Sequence, residues 1–216
     1  MAETKKSAAA TERGYHHGEL RAALIAATDA ILRDSGIEGF SLRDAARRAG
    51  VSPGAPAHHF GNASGLLTEV AVLGYQELKS YLDRADAGAT PARQLRALAT
   101  RYVAFALDHP GRFRLMFRKD LINRADPRYR ETSNTALMCF ADAAAAHAGT
   151  TREAMFASGD FGPILAVWAT AHGIAHLALE DKMAVLLRGD DPRADFMDRL
   201  LPGILRAQWP GTGAHD

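Results

Sequence analysis

The 216-residue chain has a single cysteine, Cys139, and few of the β-branched residues that favour strands, with 6 valines and 7 isoleucines. One cysteine cannot form a disulfide within the chain, which excludes a disulfide-stapled secreted domain and fits a reducing cytoplasm. By contrast, the chain has 43 alanines and 23 leucines, the strongest helix formers. We therefore predict an all-α protein.

The sequence also lacks an excess of charge of either sign, since it contains 26 basic and 25 acidic residues. This balance excludes a histone-like protein or a polybasic membrane protein, but it permits a local basic surface. The chain also lacks the motifs of di-iron bundles, phosphate-binding loops and serine hydrolases. We therefore predict that the protein is not an enzyme, and the sequence indicates no cofactor.

Long hydrophobic runs are absent except at residues 161–179, where 19 residues carry no formal charge. This length is close to the roughly 20 residues that span a bilayer. The run contains Pro163, His172 and Gly173, and acidic residues flank it on both sides. These features favour a buried or interfacial helix of a soluble protein over a membrane span.

Apolar spacing and capping residues predict about nine helices. Residues 1–13 are polar and alanine-rich and are expected to form a mobile basic arm. The first helix is expected from Glu19 to Gly36, a glycine that accepts a left-handed backbone. The other predicted helices span 42–49, 53–60, 62–82, 90–108, 111–121, 126–147, 161–181 and 192–208. Residues 86–90 form a plausible domain joint, and Pro202 is a candidate kink in the last helix.

Residues 41–60 have the spacing of a helix-turn-helix, with a four-residue turn at 49–52. In this motif the later helix enters the major groove and the helix before it crosses the phosphate backbone. Ser41 is the predicted N-cap of the earlier helix. Its free amides could hold a phosphate, together with the candidate contacts Ser41, Arg43, Arg47 and Arg48.

The later helix, predicted to begin with Ser52 as its cap and Pro53 as its first residue, carries the candidate base-reading surface. Its small residues allow close approach to base edges, and the two adjacent histidines could reach a phosphate or a base. The candidates are Ser52, Pro53, Gly54, Ala55, Ala57, His58 and His59. Three ordinary helices of a bundle would give the same pattern. Residues 1–60 hold 8 basic and 7 acidic residues, so bulk charge does not decide between the two interpretations.

Two groups of motifs resemble the tetracycline-repressor (TetR) family of bacterial regulators. The first covers residues 14–73 and includes Gly39-Phe40-Ser41-Leu42-Arg43, residues 45–52 and His59-Phe60. Residues 15–20 look like the opening of one subgroup, which adds Tyr15, His16 and His17 to the candidate DNA contacts. The second is the Trp168…His172-Gly173 signature of the subgroup's C-terminal domain. The resemblance implies a DNA-binding domain over 14–65, a connecting helix over 66–85 and a ligand-binding and dimerisation domain over 86–216.

The resemblance also implies a cytoplasmic, homodimeric transcriptional regulator, more often a repressor, that binds a roughly palindromic operator. Its dimer is expected to form through the last two long helices, and an unknown small molecule to occupy a pocket between the middle helices. The pocket candidates are His109, Phe113, Met116, Phe117, Phe140, Trp168 and His172. Each of these residues could equally belong to the ordinary core, but together they mix aromatic with few polar groups, as ligand pockets do.

Two departures from the family pattern leave an alternative open. Many members have a tyrosine at the position of Ala57 and a lysine at that of Ala63, and both side chains position the protein on DNA. The alternative is therefore a helical ligand-binding or metal-sensing dimer with weakened DNA affinity. His172, His176 and Glu180 recur every four residues and could bind zinc or nickel, although core, dimer or pocket histidines are favoured.

Overall fold

The computed structural model describes the backbone of residues 3–85 and 90–211 and the side chains of residues 18–85 and 90–211. Every regular element within these residues is helical, so the all-α prediction is confirmed. The helices are α1 (Glu3–Ser35), α2 (Leu42–Arg48), α3 (Ala55–Phe60), α4 (Ala63–Leu82), α5 (Pro91–Asp108), α6 (Pro110–Met116), α7 (Pro127–His147), α8 (Arg152–Ser158), α9 (Gly162–Leu179), α10 (Pro192–Asp195) and α11 (Leu201–Gln208). Helix α1 begins before the predicted start at Glu19, and the side chains of the predicted arm, residues 1–13, lie outside those described.

The chain divides into two compact units. The N-terminal unit comprises Met1–Gly74 and Gly111–Tyr129, and the C-terminal unit comprises Tyr75–Pro110 and Arg130–Asp216. Residues 111–129 therefore belong with the N-terminal helices, although the sequence pattern grouped them with the ligand-binding part. Residues 86–89, most of the predicted joint, lie outside the described residues.

Local capping defines the ends of α2. The Ser41 hydroxyl accepts a hydrogen bond from the Asp44 amide at 3.1 Å, which confirms the predicted N-cap. At the other end, the Val51 amide donates to the Ala46 carbonyl at 3.0 Å and the Gly50 amide to the Arg47 carbonyl at 3.2 Å. This pair of bonds is a Schellman motif, which places Gly50 in the left-handed region with φ 67°.

Replacing Gly50 by alanine is expected to lower the free energy of unfolding by about 1–2 kcal/mol, because a Cβ disfavours the left-handed backbone. No atom lies within 4 Å of that Cβ, so the cost comes from the backbone alone. Gly54→Ala is the matched control, since Gly54 also has open space but a φ of −83°. Urea denaturation of both variants measures the effect. An equal loss of stability in both variants would contradict the assignment.

Helix α3 begins at Ala55, so the predicted start at Pro53 is wrong. A helix that began at Pro53 would place Pro56 where an amide must donate to the preceding turn. With the later start, Pro56 lies in the first turn of α3, where its missing N–H costs no helical bond. Residues 53 and 54 instead form a turn, in which the Ala55 amide donates to the Ser52 carbonyl at 3.0 Å.

Ion pairs hold residues 111–129 to the N-terminal helices. The Arg112 guanidinium pairs with Asp29 of α1, and Arg118 pairs with Glu38 at 2.8 Å. The Glu69 carboxylate of α4 accepts from Arg128 at 2.7 and 3.0 Å and pairs with Arg21 of α1 at 2.5 Å. Burial acts to raise the pKa of Glu69, but the hydrogen bonds and charges of these two guanidinium groups together outweigh it and hold the pKa below its usual value.

The C-terminal unit has α5 packed against α9. Helix α9 buries the side chains of Ile164, Val167, Ala171, Ile174 and Ala175. Helix α9 is long and apolar enough to cross a membrane. This is weak evidence for a membrane span, because core helices of soluble proteins have the same length and composition. Its opposite face is exposed and apolar, as the interfacial interpretation of residues 161–179 predicts.

The remaining helices differ from the prediction at three places. Helix α6 ends at Met116 rather than near residue 121. Helix α8 was not predicted, although its Thr151 cap and the left-handed Gly159 that follows it are both visible in the sequence. Between α10 and α11 the chain forms a π-helical turn at Phe196–Leu200. Pro202 follows shortly after this turn, and in a regular α-helix its ring would clash with the carbonyl group one turn earlier.

Candidate functional site

Helices α2 and α3 present the candidate DNA contacts on the surface of the N-terminal unit. Ala45 and Ala46 of α2 and Pro56 of α3 face inward and are buried. The predicted contacts are exposed or half-buried: Ser41, Arg43, Arg47, Arg48, Ser52, Pro53, Gly54, Ala55, Ala57, His58 and His59. We call this set the recognition surface. The side chains of Tyr15, His16 and His17 lie outside those described.

Carboxylates of the N-terminal unit hold two arginines of α2. Arg47 donates to Asp44, while Arg48 donates both to Asp44 at 3.1 Å and to Asp34 at 2.8 Å. The hydrogen bond from Arg47 lowers the pKa of Asp44, burial opposes this shift, and the charge of Arg47 and the hydrogen bond from Arg48 add to the lowering. The Arg47 side chain is 72% exposed and that of Arg48 29%, so Arg47 can turn toward a phosphate at little cost.

Helix α3 offers small residues and imidazoles instead of a large aromatic ring. His58 and His59 are adjacent, with ring centroids 5.5 Å apart. Phe60 anchors the end of α3 to α1, because the Arg21 guanidinium lies 5.5 Å from the Phe60 ring centroid. Ala57 is exposed at the centre of the helix, so the position where many relatives carry a tyrosine faces solvent. The polar groups on the exposed side of α3 are therefore imidazole nitrogens and the backbone.

The predicted pocket residues divide between the two units. Phe113, Met116 and Phe117 belong to the N-terminal unit, where the first two are fully buried and the rings of Phe113 and Phe117 pack edge-on at 5.3 Å. His109, Phe140, Trp168 and His172 belong to the C-terminal unit. Within that unit the Trp168 and His172 ring centroids are 5.8 Å apart.

Tyr102 of α5 connects the C-terminal candidates, and it is missing from the set predicted from the sequence. Its hydroxyl oxygen lies 2.8 Å from Nδ1 of His172, and its ring packs edge-on against Phe140 at 5.5 Å. Burial raises the pKa of the Tyr102 hydroxyl, and the neighbouring Trp168 side chain acts against this rise. Burial, and secondarily the charge of His176, lowers the pKa of His172 to about 4. His172 is therefore a neutral imidazole at pH 7.

A second polar cluster holds the end of α5 in the C-terminal unit. The Tyr81 hydroxyl donates to Asp108 at 2.7 Å, and Arg193 of α10 pairs with the same carboxylate. His109 packs edge-on against Tyr81, with ring centroids 5.8 Å apart. Burial, followed by the hydrogen bond to Asp108, raises the pKa of Tyr81 to about 12. His109, one of the predicted pocket residues, is therefore held in place beside this hydrogen-bonded cluster.

His172 and His176 of α9, two of the three metal-ligand candidates, place their imidazoles side by side. His172 and His176 pack edge-on with ring centroids 4.5 Å apart, and Glu180 follows as the C-cap of the helix. The part of the chain that the structure describes contains no group of three or more metal-ligating side chains.

Comparison with known proteins identifies the two parts of the chain. Residues 24–70 match the model for bacterial regulatory proteins of the tetR family, and residues 95–202 match a tetracyclin repressor-like C-terminal domain. The chain belongs to the TetR family. This TetR-family protein is a DNA-binding transcriptional regulator, and the N-terminal match contains the whole recognition surface. The Trp…His-Gly subgroup stays a prediction.

Individual relatives are similar to this TetR-family protein over different shares of its length. A protein of unknown function from Rhodococcus sp. RHA1 is 31% identical, with 89% of this chain and 97% of that chain covered and a TM-score of 0.63. AibR in complex with isovaleryl coenzyme A and operator DNA shares the fold, with 15% identity, coverage of 88% and 98%, and a TM-score of 0.62. The HTH-type transcriptional regulator BetI of Stenotrophomonas maltophilia (strain R551-3) is 39% identical over 80 residues, which are 36% of this chain and 41% of that relative.

Proposed function

We propose that this TetR-family protein is a cytoplasmic, homodimeric repressor that a small molecule releases from a roughly palindromic operator. The observation that carries the proposal is the recognition surface, in which a capped α2, a Schellman turn and a short α3 expose three arginines and two histidines. Ser41 and the α2 arginines contact phosphates, and α3 lies in the major groove. The DNA-binding part is residues 14–65, and the ligand-binding and dimerisation part is residues 86–216. The function is binding, not catalysis.

The homodimer is supported by the exposed face of α9. Leu165, Ala169, Gly173 and Leu177 recur every four residues on that face, with Leu165 54% and Leu177 47% exposed. A Cβ at Gly173 would meet no atom within 4 Å, so nothing in the described part of the chain requires a glycine there. A stripe of small residues flanked by leucines suits close approach of the same helix from a second copy. Two copies supply the two half-sites that a palindrome contains.

The small molecule releases the repressor from DNA by shifting the equilibrium between two states of the dimer. In one state the two α3 helices have the spacing of adjacent major grooves, and in the other they do not. A small molecule in the C-terminal part favours the second state only by binding it more tightly. A structural neighbour supports such an effector, because the AibR complex contains both isovaleryl coenzyme A and operator DNA. Trp168, His172 and Phe140 are the proposed effector contacts within the C-terminal unit.

A fluorescence-anisotropy titration tests the DNA-binding function. The full chain is titrated onto labelled DNA from the region flanking its own gene and onto a scrambled duplex of equal length, at near-physiological salt. We expect about a thousandfold preference for the flanking DNA. Equal and weak binding to both duplexes would contradict the proposal and favour the alternative of a dimer whose DNA affinity has declined, since Ala57 and Ala63 remove two positioning side chains.

A further inference from the structure

Positive charge is distributed unevenly between the two units. The N-terminal unit holds 14 basic and 10 acidic residues, whereas the C-terminal unit holds 12 basic and 15 acidic ones. Residues 1–74, which include the helix-turn-helix, are balanced, with 8 of each. The whole excess of the N-terminal unit therefore lies in residues 111–129, which hold 6 basic and 2 acidic residues. The match to the C-terminal domain of the family includes this segment, but the fold places it with the DNA-binding helices.

Two contacts anchor this segment beside the helices that carry the recognition surface. Arg118 pairs at 2.8 Å with Glu38, which lies in the turn between α1 and α2. The Asn123 amide donates to the Thr68 hydroxyl of α4 at 2.8 Å. Glu38 lies three residues before Ser41, so the Cα atoms of these two residues are at most about 11 Å apart. The segment is therefore held next to the turn that leads into α2.

Half of the cations in this segment are exposed to solvent. They are Arg114, Lys119 and Arg124, and we call them the basic rim. Lys119 directly follows the anchored Arg118, and Arg124 directly follows the anchored Asn123. The anchors therefore fix the backbone from which these two side chains extend.

The other three cations of the segment neutralise carboxylates of the N-terminal helices. The pairs are Arg112 with Asp29, Arg118 with Glu38 and Arg128 with Glu69. The two acidic residues of the segment bind groups within it, because Asp120 pairs with Arg118 and the Asp126 carboxylate accepts from the Arg128 amide. The segment thus cancels negative charge of the N-terminal unit and also adds exposed positive charge.

We propose that the basic rim is a second DNA-binding surface, which attracts duplex DNA through its phosphates without reading the sequence. The inference rests on the proposed DNA-binding function. Double-stranded DNA carries one negative charge per about 1.7 Å of its axis, so a few added cations act on many phosphates. Charges at the edge of an interface mainly raise the association rate and its salt dependence, and they affect dissociation less. The rim therefore speeds the first encounter with DNA, and α3 reads the bases afterwards.

Stopped-flow fluorescence with labelled duplexes measures this effect in the full-length protein. The rim variant, which combines Arg114→Gln, Lys119→Gln and Arg124→Gln, is mixed with the flanking DNA and with the scrambled duplex at low and high salt. We expect its association rate constant to fall about tenfold for both duplexes at about 20 mM salt. At about 300 mM salt, where screening is stronger, the fall should be about twofold or less. The dissociation rate constant should stay within about twofold of wild type.

A matched control separates the position of these charges from the net charge of the protein. The variant with Arg93→Gln, Arg101→Gln and Arg188→Gln also loses three exposed cations, but from the C-terminal unit. We expect its association rate constant to stay within about twofold of wild type at both salt concentrations. Lys119→Gln alone should slow association about twofold at low salt, and urea denaturation of every variant checks that it is folded.

The charge-preserving variant, Arg114→Lys with Lys119→Arg and Arg124→Lys, should associate at the wild-type rate, because long-range attraction depends on charge and not on side-chain shape. Slow association of this variant, equal slowing of the rim variant and the control, or a wild-type rate for the rim variant would overturn the proposal. The preference of the wild type for flanking over scrambled DNA is a separate readout. A failure of specific repression is therefore distinguishable from a failure of the basic rim.

Discussion

Replacing Arg47 by alanine is expected to weaken operator binding about a hundredfold. Arg47 projects from α2, the helix that crosses the phosphate backbone in this motif, and its side chain is 72% exposed. A charge-assisted hydrogen bond contributes about 1.5 kcal/mol or more, and a homodimer makes each contact twice. Two lost contacts amount to about 3 kcal/mol, which corresponds to about two orders of magnitude in Kd.

The same variant is expected to fold normally. Arg47 binds only Asp44 among the ion pairs of α2 described above, and Arg48 remains to neutralise that carboxylate. Exposed pairs of this kind contribute about 0–1 kcal/mol to stability. We therefore expect the loss of DNA affinity without a matching loss in urea denaturation.

Titrations at several salt concentrations separate a phosphate contact from base reading. For Arg47→Ala, log Kd against log salt should lose about two units of slope, one per protomer, and scrambled DNA should weaken in parallel. Arg152→Ala is the control, because Arg152 is also an ion-paired surface arginine but belongs to the C-terminal unit. An unchanged slope with a lost sequence preference would place Arg47 on a base edge instead.

Structural features that depend on residues close together in the chain could be predicted from the sequence. The N-caps Ser41, Asn62 and Thr90 each accept an amide hydrogen bond from three residues on, at 3.1, 3.0 and 3.4 Å. Gly36, Gly50 and Gly149 end their helices with positive φ, as glycine permits. Such interactions lie within one turn of the chain, so residue type and spacing determine them.

Structural features that depend on residues far apart in the chain could not be predicted from the sequence. Nothing local distinguishes Tyr102 from other apolar positions of α5, and its contact with His172 forms only because α9 lies beside α5. The grouping of residues 111–129 likewise depends on Asp29, Glu38 and Glu69, which are 59 to 83 residues away along the chain. In a sequence with nearly equal numbers of acidic and basic residues, a single charged residue does not reveal which distant residue it pairs with.

The largest effect on stability is expected from replacing Arg21 and Arg128 together by methionine. Glu69 is 9% exposed at its side chain, and these two arginines are its ion-pair partners. Methionine keeps the apolar stems of both side chains, including a contact for Phe60, but leaves a carboxylate buried without a counter-charge. Removing the partners of a buried charge costs about 3–5 kcal/mol, so we expect a loss of about 3 kcal/mol at pH 7.

The pH dependence of this loss has a definite sign. In the wild type the pKa of Glu69 is lowered from 4.5, so its contribution to stability is present above pH 4.5 and is lost as the pH falls through the folded-state pKa. Without the arginines, burial alone raises the pKa of Glu69 above the unfolded value. The variant then loses stability as the pH rises through that higher pKa. The difference between the two proteins is expected to shrink between about pH 7 and pH 4, as measured by urea denaturation at equal protein concentration.

A third substitution tests whether the buried charge is the cause. Adding Glu69→Gln to the Arg21→Met, Arg128→Met protein removes the charge but keeps the shape of the side chain, so most of the lost stability should return at pH 7. The same change in the wild type should destabilise it, because both guanidinium groups lose their carboxylate. The control pair Arg118→Met and Arg152→Met removes two positive charges whose partners Glu38 and Asp142 are 83% and 55% exposed, and should cost little. If Glu69→Gln fails to rescue, the two arginines stabilise the N-terminal unit through packing rather than through the buried carboxylate, and the pH dependence should then disappear as well.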